Sequence, residues 1–176
     1  MQQILPNPKS QLQINILLFE AFSNMVLACL VEPLRVVRDE YGENITWNIL
    51  TPDNVPVRSS SGIALTPDGP PSQANACDLL IVIGGDRFRQ DAQQYATRKA
   101  LMIAHKAKAV IAADTGAWLL ASVGYLDNKQ ATLHWQLLDE FTNTFPKVNS
   151  IATPFTSDGK WMTCGSAAGA MELVLQ

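Results

Sequence analysis

The chain has 176 residues, of which 47% are hydrophobic and 16% charged, a composition that fits one folded domain with a buried core and excludes a disordered chain. Its formal net charge is −3 and its 13 lysines and arginines are scattered, which excludes a free-standing surface for binding nucleic acid. No apolar run approaches the roughly 20 residues that a membrane-spanning helix needs.

The first part of the chain predicts two strands joined by a helix, followed by an irregular region. The run "QINILLFE", residues 13–20, is nearly all apolar, as expected of a strand that is buried on both faces. Residues 23–39 follow as a predicted helix, with Ser23 or Asn24 as its N-cap. The alternating run "ITWNILT" predicts a second strand, which ends at the turn signal "TPDN". Residues 52–76 are rich in proline, glycine and serine and hold two short predicted strands.

The second part of the chain continues the alternation of strands and helices. The run "CDLLIVIGG" predicts an interior strand, and residues 91–107 a helix whose inward candidates are Tyr95, Leu101, Ile103 and Ala104. "KAVIAAD" predicts another buried strand, and "TGAWLLASVG" a helix that Gly124 ends. A helix at 134–144, a strand near 147–152, a hairpin at "SDGK" and a helix from about 166 complete the pattern. The predicted fold is therefore α/β and flavodoxin-like, an open and mostly parallel sheet with helices on both faces.

Four segments are expected to meet at one edge of this sheet, because ligands of open parallel sheets bind beyond the carboxyl ends of the strands. They are residues 20–23, 84–86, 114–116 and 163–166. In "IAADTGAW" a buried strand stops at Asp114 and turns into a helix, an arrangement like a nucleophile elbow. An aspartate does not readily form the adducts that a cysteine thiolate forms, so the pattern favours binding over catalysis. The alternative is that Asp114 only caps the helix that follows it.

Long stretches of the chain carry a family resemblance. They are "LLFEAFSNMVLACLVEPLRVV", "WNILTPDNVPVRSSSGIAL", "DLLIVIGG", "ADTGAWLLASVGYLDNKQATLHWQLLDEFTNTFP" and "WMTCGSAAGAMELVL". The most specific part joins a small-residue helix, a G-x-L-D-x-x-x-A-T turn and a His-Trp pair. The chain resembles the PfpI/ThiJ superfamily, which has the class I glutamine amidotransferase-like fold, and within it the amino-terminal sensor domain of AraC-type transcriptional regulators.

The resemblance implies roles for individual residues. Enzymes of the superfamily place a cysteine at the elbow, with an acidic residue from the first helix beside it and often a histidine nearby. Glu32 in "LVEPLR" matches the acid and His134 in "ATLHW" supplies the histidine, whereas Asp114 stands at the cysteine position. Similar sequences with "DTG" at the elbow include sensors of small quaternary amines and amino acids.

The same residues predict a cationic or zwitterionic ligand on physical grounds. If Glu32 and Asp114 face one small cavity, their carboxylates repel each other, and a cation between them removes that cost. In this hypothesis the backbone N–H groups of Gly84, Gly85 and two helix starts hold the carboxylate of a zwitterion. Trp118 or Trp135 would add a cation–π face. The predicted ligand-binding residues are Glu32, Gly84, Gly85, Asp114, Thr115, His134 and Cys164.

Each of these residues also has a purely structural alternative. Glu32 fits an ordinary solvated helix position, and Trp118 fits a core position on an apolar helix. His134 fits the start of a helix or a contact with Trp135. Cys164 fits a small buried filler, as free cysteines often are.

The resemblance further implies the organisation and the partners of the protein. Residues 1–176 are expected to form a single ligand-sensing domain cut from a longer chain, since "GSAAGAMELVLQ" stops inside an apolar helical stretch without a C-cap glycine. A small-molecule effector, a carboxyl-terminal helix-turn-helix domain that contacts DNA and a homodimer are the expected partners. No cofactor, metal or catalysis is expected. The alternatives are a hydrolase, hydratase or glyoxalase with a non-standard nucleophile, or a dimerisation module with a vestigial pocket.

The cysteines and the amino terminus predict a cytoplasmic location. The three cysteines are widely separated and lack metal-ligand spacing, so neither a disulfide framework nor a zinc site is indicated, as expected in a reducing compartment. The segment "MQQILPNPKSQ" lacks the basic start and the apolar core of a signal peptide.

Overall fold

Strands and helices alternate along residues 11–176, the part of the chain that the computed structural model describes. The strands are β1 (Leu12–Leu18), β2 (Ile45–Leu50), β3 (Val57–Arg58), β4 (Ala64–Leu65), β5 (Cys77–Ile83), β6 (Ala107–Ala113), β7 (Gln130–Ala131), β8 (Asn149–Ser150), β9 (Phe155–Asp158) and β10 (Trp161–Cys164). The α-helices are α1 (Asn24–Tyr41), α2 (Phe88–Asp91), α3 (Tyr95–Leu101), α4 (Gly116–Ser122), α5 (Leu138–Thr144) and α6 (Ala167–Val174). Residues 1–10, on which the prediction about a signal peptide largely rests, lie outside the described residues.

The central sheet is open and mostly parallel, in the order β2-β1-β5-β6-β10-β9. Strands β1, β2, β5, β6 and β10 are parallel to one another, and only the edge strand β9 runs antiparallel, paired with β10 in the predicted hairpin. This confirms the predicted flavodoxin-like α/β fold. The chain leaves β1 towards β2 on one side and leaves β5 towards β6 on the other, so the switch in direction lies between β1 and β5.

Both faces of the sheet are covered by helices, because successive residues of a strand point to opposite faces. One face packs against α1 and α6, and its buried residues include Ile14, Ile16, Leu18, Ile81, Leu30 and Leu173. The other face packs against the helices from α2 to α5, and its buried residues include Leu17, Val82, Val110, Leu101, Leu119 and Phe141. The near-continuous apolar runs of the sequence are therefore strands buried on both sides.

The helix α1 begins as the sequence predicts. Ser23 is its N-cap, and its hydroxyl accepts a hydrogen bond from the N–H of Val26 at 3.3 Å. The helix ends at Gly42, which adopts the left-handed conformation with a φ of 66°. Of the two N-cap candidates, Ser23 is therefore correct.

The prediction for residues 91–107 is wrong in detail. The segment holds the end of α2, the separate helix α3, a 3₁₀ stretch at Met102–Lys106 and the first residue of β6. Leu101, Ile103 and Ala104 are buried as expected, but the side chain of Tyr95 is 80% exposed because it stands at the first position of α3. The strand predicted near 147–152 is only the two-residue β8, which pairs with β7 outside the central sheet.

Candidate functional site

Asp114 occupies a sharp turn between β6 and α4 at the carboxyl edge of the sheet. Its φ is 58°, a left-handed conformation that is uncommon for residues other than glycine. Its backbone N–H donates to the carbonyl oxygen of Cys164 at 2.9 Å, which ties the turn to the end of β10. Backbone strain of this kind persists only where the surrounding structure holds the residue in place, and it often occurs at functional sites. The turn has the strand, strained residue and helix of the expected elbow.

The carboxylate of Asp114 is not a helix cap. The N-cap of α4 is Thr115, and the helix begins without a capping hydrogen bond from a side chain. The Thr115 hydroxyl instead donates to the carbonyl oxygen of Gly85 at 3.0 Å and is buried. The alternative in which Asp114 only caps α4 is therefore wrong, while Thr115 serves to join two loops.

The electrostatic surroundings of Asp114 are those of a half-buried acid with a second acid nearby. Burial raises the pKa of the Asp114 carboxyl, the negative charge of Asp86 raises that pKa further, and His134 lowers it. Asp114, Asp86 and His134 are therefore close enough to interact, although they come from the ends of β6 and β5 and from the segment after β7. The sequence predicted Asp114 and His134 as ligand contacts; it placed Asp86 at this edge but did not include it among those contacts.

Cys164 lies beside Asp114 but is not a reactive thiol. The residue is fully buried at the end of β10. Burial, and then the negative charge of Asp114, raise the pKa of the Cys164 thiol to about 12. A thiol with such a pKa stays protonated at neutral pH, and the thiolate is the nucleophilic form.

Gly84 and Gly85 are required by close packing of the loops. A Cβ atom on Gly84 would lie 2.2 Å from the hydroxyl oxygen of Thr115, and one on Gly85 would lie 2.0 Å from the carbonyl oxygen of Glu20. The N–H of Gly84 donates to the carbonyl oxygen of Ala113 at 3.3 Å. The hypothesis that this N–H holds a ligand carboxylate is therefore not supported.

Glu32 lies elsewhere, which corrects the expectation that it faces a small cavity with Asp114. Its side chain is 58% exposed and forms an ion pair with Arg35 at 2.7 Å. Arg35 in turn pairs with Asp39 one turn further along α1. These charges form a solvated stripe on the helix, which is the structural alternative for Glu32.

The two tryptophans considered for a cation–π face differ in environment. Trp118 is 6% exposed and makes edge or tilted contacts with Phe88, Phe141 and Phe145, so it belongs to the core. Trp135 is 74% exposed and stacks on His134, with ring centroids 6.0 Å apart. It also lines a cavity of about 300 Å³ with Thr132, Pro154, Gly165 and Ser166, and Gly165 directly follows Cys164 in the chain.

Residues 11–176 indicate neither a metal site nor a membrane-spanning helix. No group of three or more histidine, cysteine, aspartate or glutamate residues in this range could hold a metal ion. None of the helices in the same range combines the length and the apolar character needed to cross a bilayer.

The raised pKa of Asp114 predicts that its charge destabilises the ligand-free chain at neutral pH. The unfolded carboxyl ionises near pH 3.9, whereas the folded one retains its proton to a higher pH, so stability falls as pH rises through this interval. We expect Asp114→Asn to raise the free energy of unfolding by about 1 kcal/mol at pH 7. The difference should vanish near pH 3, as measured by urea unfolding at both pH values.

Asp158→Asn is the matched control of opposite sign. A hydrogen bond from the N–H of Gln130, and then the contact with Lys129, lower the pKa of Asp158, so this charge stabilises the folded chain above the unfolded pKa. Asp158→Asn should therefore be destabilising at pH 7. Loss of stability in Asp114→Asn at pH 7 would contradict the expected environment of Asp114.

Comparison with known proteins agrees with this geometry. Residues 13–176 match the DJ-1/PfpI family. The HTH-type transcriptional regulator CdhR of Pseudomonas aeruginosa is 30% identical over 159 residues, which are 90% of this chain and 47% of that protein. The HTH-type transcriptional regulator GbdR of the same species is 31% identical over 170 residues, which are 96% of this chain and 46% of that protein. The chain thus spans about half the length of these relatives.

A solved structure shows the same fold. The crystal structure of an AraC family transcriptional regulator from Pseudomonas putida has a TM-score of 0.77 and 22% identity to this chain. The match covers 93% of this chain and 89% of that chain. Together with the parallel sheet, the elbow and the match over residues 13–176, these similarities show that the chain belongs to the DJ-1/PfpI family.

Proposed function

We propose that this chain is the effector-binding domain of an AraC-type transcriptional regulator and that it controls DNA binding by another part of a longer protein. The observation that carries the proposal is the chemistry of the elbow, where a carboxylate stands at residue 114 and the adjacent thiol of Cys164 is buried and protonated. Such a site is suited to hold a molecule without transforming it. The relatives CdhR and GbdR are named as transcriptional regulators, which supports the same role.

The effector in this proposal is a small cationic or zwitterionic amine or amino acid. Asp114 is half-buried, and the negative charge of Asp86 adds to the cost of ionising it. A cationic group placed against Asp114 would offset both effects, because an opposite charge favours the ionised carboxylate. His134 interacts electrostatically with Asp114 and stacks on the exposed Trp135. In the proposal these two side chains contact the remainder of the ligand. Binding would act on the DNA-binding part only if the ligand prefers one arrangement of the two parts.

The homodimer and the cytoplasmic location belong to the same proposal. A helix-turn-helix regulator that contacts paired half-sites is expected to be two-fold symmetric. The absence of catalysis in this chain is likewise a proposal, which an assay for turnover tests.

The test of the proposal is ligand binding by wild-type chain and by Asp114→Asn. A thermal-shift screen with glycine betaine, carnitine and arginine should yield a stabilising ligand, worth about 2.7 kcal/mol at a hundredfold excess over Kd. In calorimetry, Asp114→Asn should weaken that cation at least tenfold, or about 1.4 kcal/mol, because the ion pair is lost. The affinity for a neutral compound of the same shape should fall less than twofold in Asp114→Asn.

Two results would contradict this proposal. Equal weakening of the cationic and neutral ligands would show that Asp114 does not act through its charge. Turnover of glyoxals, amides or isonitriles by the wild-type chain, abolished in Asp114→Asn, would favour the enzyme alternative.

A further inference from the structure

A second cavity, of about 210 Å³, lies beside the switch point of the sheet. It is bounded by the segment after β1, the loop between β2 and β3, and the region of α2 and α3. Phe19, Val55 and Val57 supply part of an apolar wall. None of the residues predicted as ligand contacts lines this cavity, so it is separate from the elbow.

The carboxylate of Asp91 is the distinctive group in this cavity. Asp91 is only 6% exposed, and its Oδ2 atom is buried without a hydrogen-bond partner among the described residues. Burial raises the pKa of the Asp91 carboxyl, whereas Arg87, which also lines the cavity, lowers that pKa without forming an ion pair with Asp91 within residues 11–176. A buried polar oxygen without a partner costs about 1–3 kcal/mol, so its persistence requires an explanation.

The charges around Asp91 favour a cation. Glu20 and Asp53 line the cavity with Asp91, so three acids face the single arginine Arg87. One Glu20 oxygen accepts a hydrogen bond from the backbone N–H of Arg58 at 3.0 Å, which fixes the carboxylate at the cavity wall. A bound cation would reduce the repulsion among the three acids, and an N–H group of that cation would donate to the Asp91 carboxylate.

The size and the lining restrict the ligand further. The cavity volume of about 210 Å³ is well above what one water molecule needs and has room for a small organic molecule. The apolar wall suits a short alkyl chain. A quaternary ammonium group has no N–H donor, so it would leave the Asp91 carboxylate without a hydrogen bond.

We propose that this cavity binds a small primary ammonium or guanidinium cation with a short alkyl chain, whose N–H group donates to the Asp91 carboxylate. The site is additional to the one proposed at Asp114 and does not depend on it. It lies against the segments that follow β1 and β5, which also border the elbow. A ligand bound in the cavity would therefore contact the segments after β1 and β5 that also border the elbow.

The experiment measures calorimetric binding of n-butylammonium and of n-butyltrimethylammonium to the wild-type chain. We expect n-butylammonium to bind at least tenfold more tightly, since only this ion has N–H donors. Asp91→Asn should weaken n-butylammonium at least tenfold. Asp127→Asn is the matched control and should change its Kd less than twofold, because it removes the same charge outside the cavity, where Asp127 pairs with Lys147.

The variants also separate this site from the elbow. If circular dichroism shows that Asp91→Asn does not fold, Glu20→Gln replaces it and should weaken n-butylammonium at least threefold. Equal affinity for the two cations, or unchanged affinity in the folded Asp91→Asn variant, would overturn the proposal. Loss of n-butylammonium binding in Asp114→Asn alone would also overturn it, and would place the cation at the elbow instead.

Discussion

Replacement of Gly85 by alanine is expected to destabilise the protein by about 3 kcal/mol. A Cβ atom there would lie 2.0 Å from the carbonyl oxygen of Glu20 and 2.7 Å from the carbonyl carbon of Ala21. These are backbone atoms, which cannot rotate away as a side chain would. The segments that follow β1 and β5 would have to separate.

The same change should disturb the elbow. The carbonyl oxygen of Gly85 accepts the hydrogen bond from Thr115, the residue that follows Asp114. Urea unfolding measures the loss of stability, with Gly69→Ala as the matched control. A Cβ on Gly69 meets nothing within 4 Å, so this control should be neutral or slightly stabilising. A Gly85→Ala variant within 0.5 kcal/mol of wild type, on the order of an ordinary surface substitution, would refute the close approach of the loops.

Replacement of Thr163 by valine is expected to cost about 2 kcal/mol, because it breaks a buried chain of hydrogen bonds. The Thr132 N–H donates to the Thr163 hydroxyl oxygen at 2.7 Å, and the hydroxyls of Thr163 and Thr156 are 2.8 Å apart. The Thr156 hydroxyl lies 3.3 Å from the carbonyl oxygen of Gln130, to which it donates. Valine has the same shape but leaves the buried Thr132 N–H without an acceptor.

Amide exchange at Thr132 distinguishes this mechanism from general loosening of the hairpin. The Thr132 N–H should exchange faster in Thr163→Val, and the segment leading to His134 should become more mobile. Thr142→Val is the control, since its exposed hydroxyl bonds only to the carbonyl of Leu138 within α5. Urea unfolding should place the control within about 0.5 kcal/mol of wild type. Equal losses of unfolding free energy in Thr163→Val and Thr142→Val would argue against the buried chain of hydrogen bonds.

The central sheet was predictable because its strands are the most apolar runs of the chain. Strands buried on both faces, such as β5 and β6, leave little doubt about element type when turn signals follow them. The elbow followed from the same pattern, since a polar residue directly after such a strand must stand at the carboxyl edge. The division of residues 91–107 into α2, α3 and a 3₁₀ stretch was not predictable, because packing against the sheet decides it rather than local propensity.

Glu32 shows how family analogy can override a pattern that the sequence does contain. Val26 and Leu30 are four residues apart and form the buried face of α1. Glu32 lies two residues beyond Leu30, about 200° around the helix, and therefore faces solvent. The spacing of Glu32, Arg35 and Asp39 is that of a surface ion-pair stripe, which could have been recognised.

Two acids that were not among the predicted ligand contacts differ in how far the sequence could identify them. Asp86 directly follows the Gly-Gly turn after β5, so the argument that selected Asp114 applies equally to it. Asp91 was not identifiable, because its burial depends on how α2 packs beside the segment after β1 and the loop after β2. Sequence periodicity predicts which residues share a helix face, but it does not predict cavities between loops.

The left-handed backbone of residue 114 limits how its carboxylate can be probed by mutagenesis. Asparagine and glycine adopt this conformation readily, whereas alanine costs about 1–2 kcal/mol more in backbone energy. An alanine scan would mix that conformational cost with the removal of the charge and would overstate the electrostatic role. Asp114→Asn removes only the charge, and Asp114→Gly removes the whole side chain without straining the backbone. Mutagenesis of this residue can be interpreted only when both variants are compared.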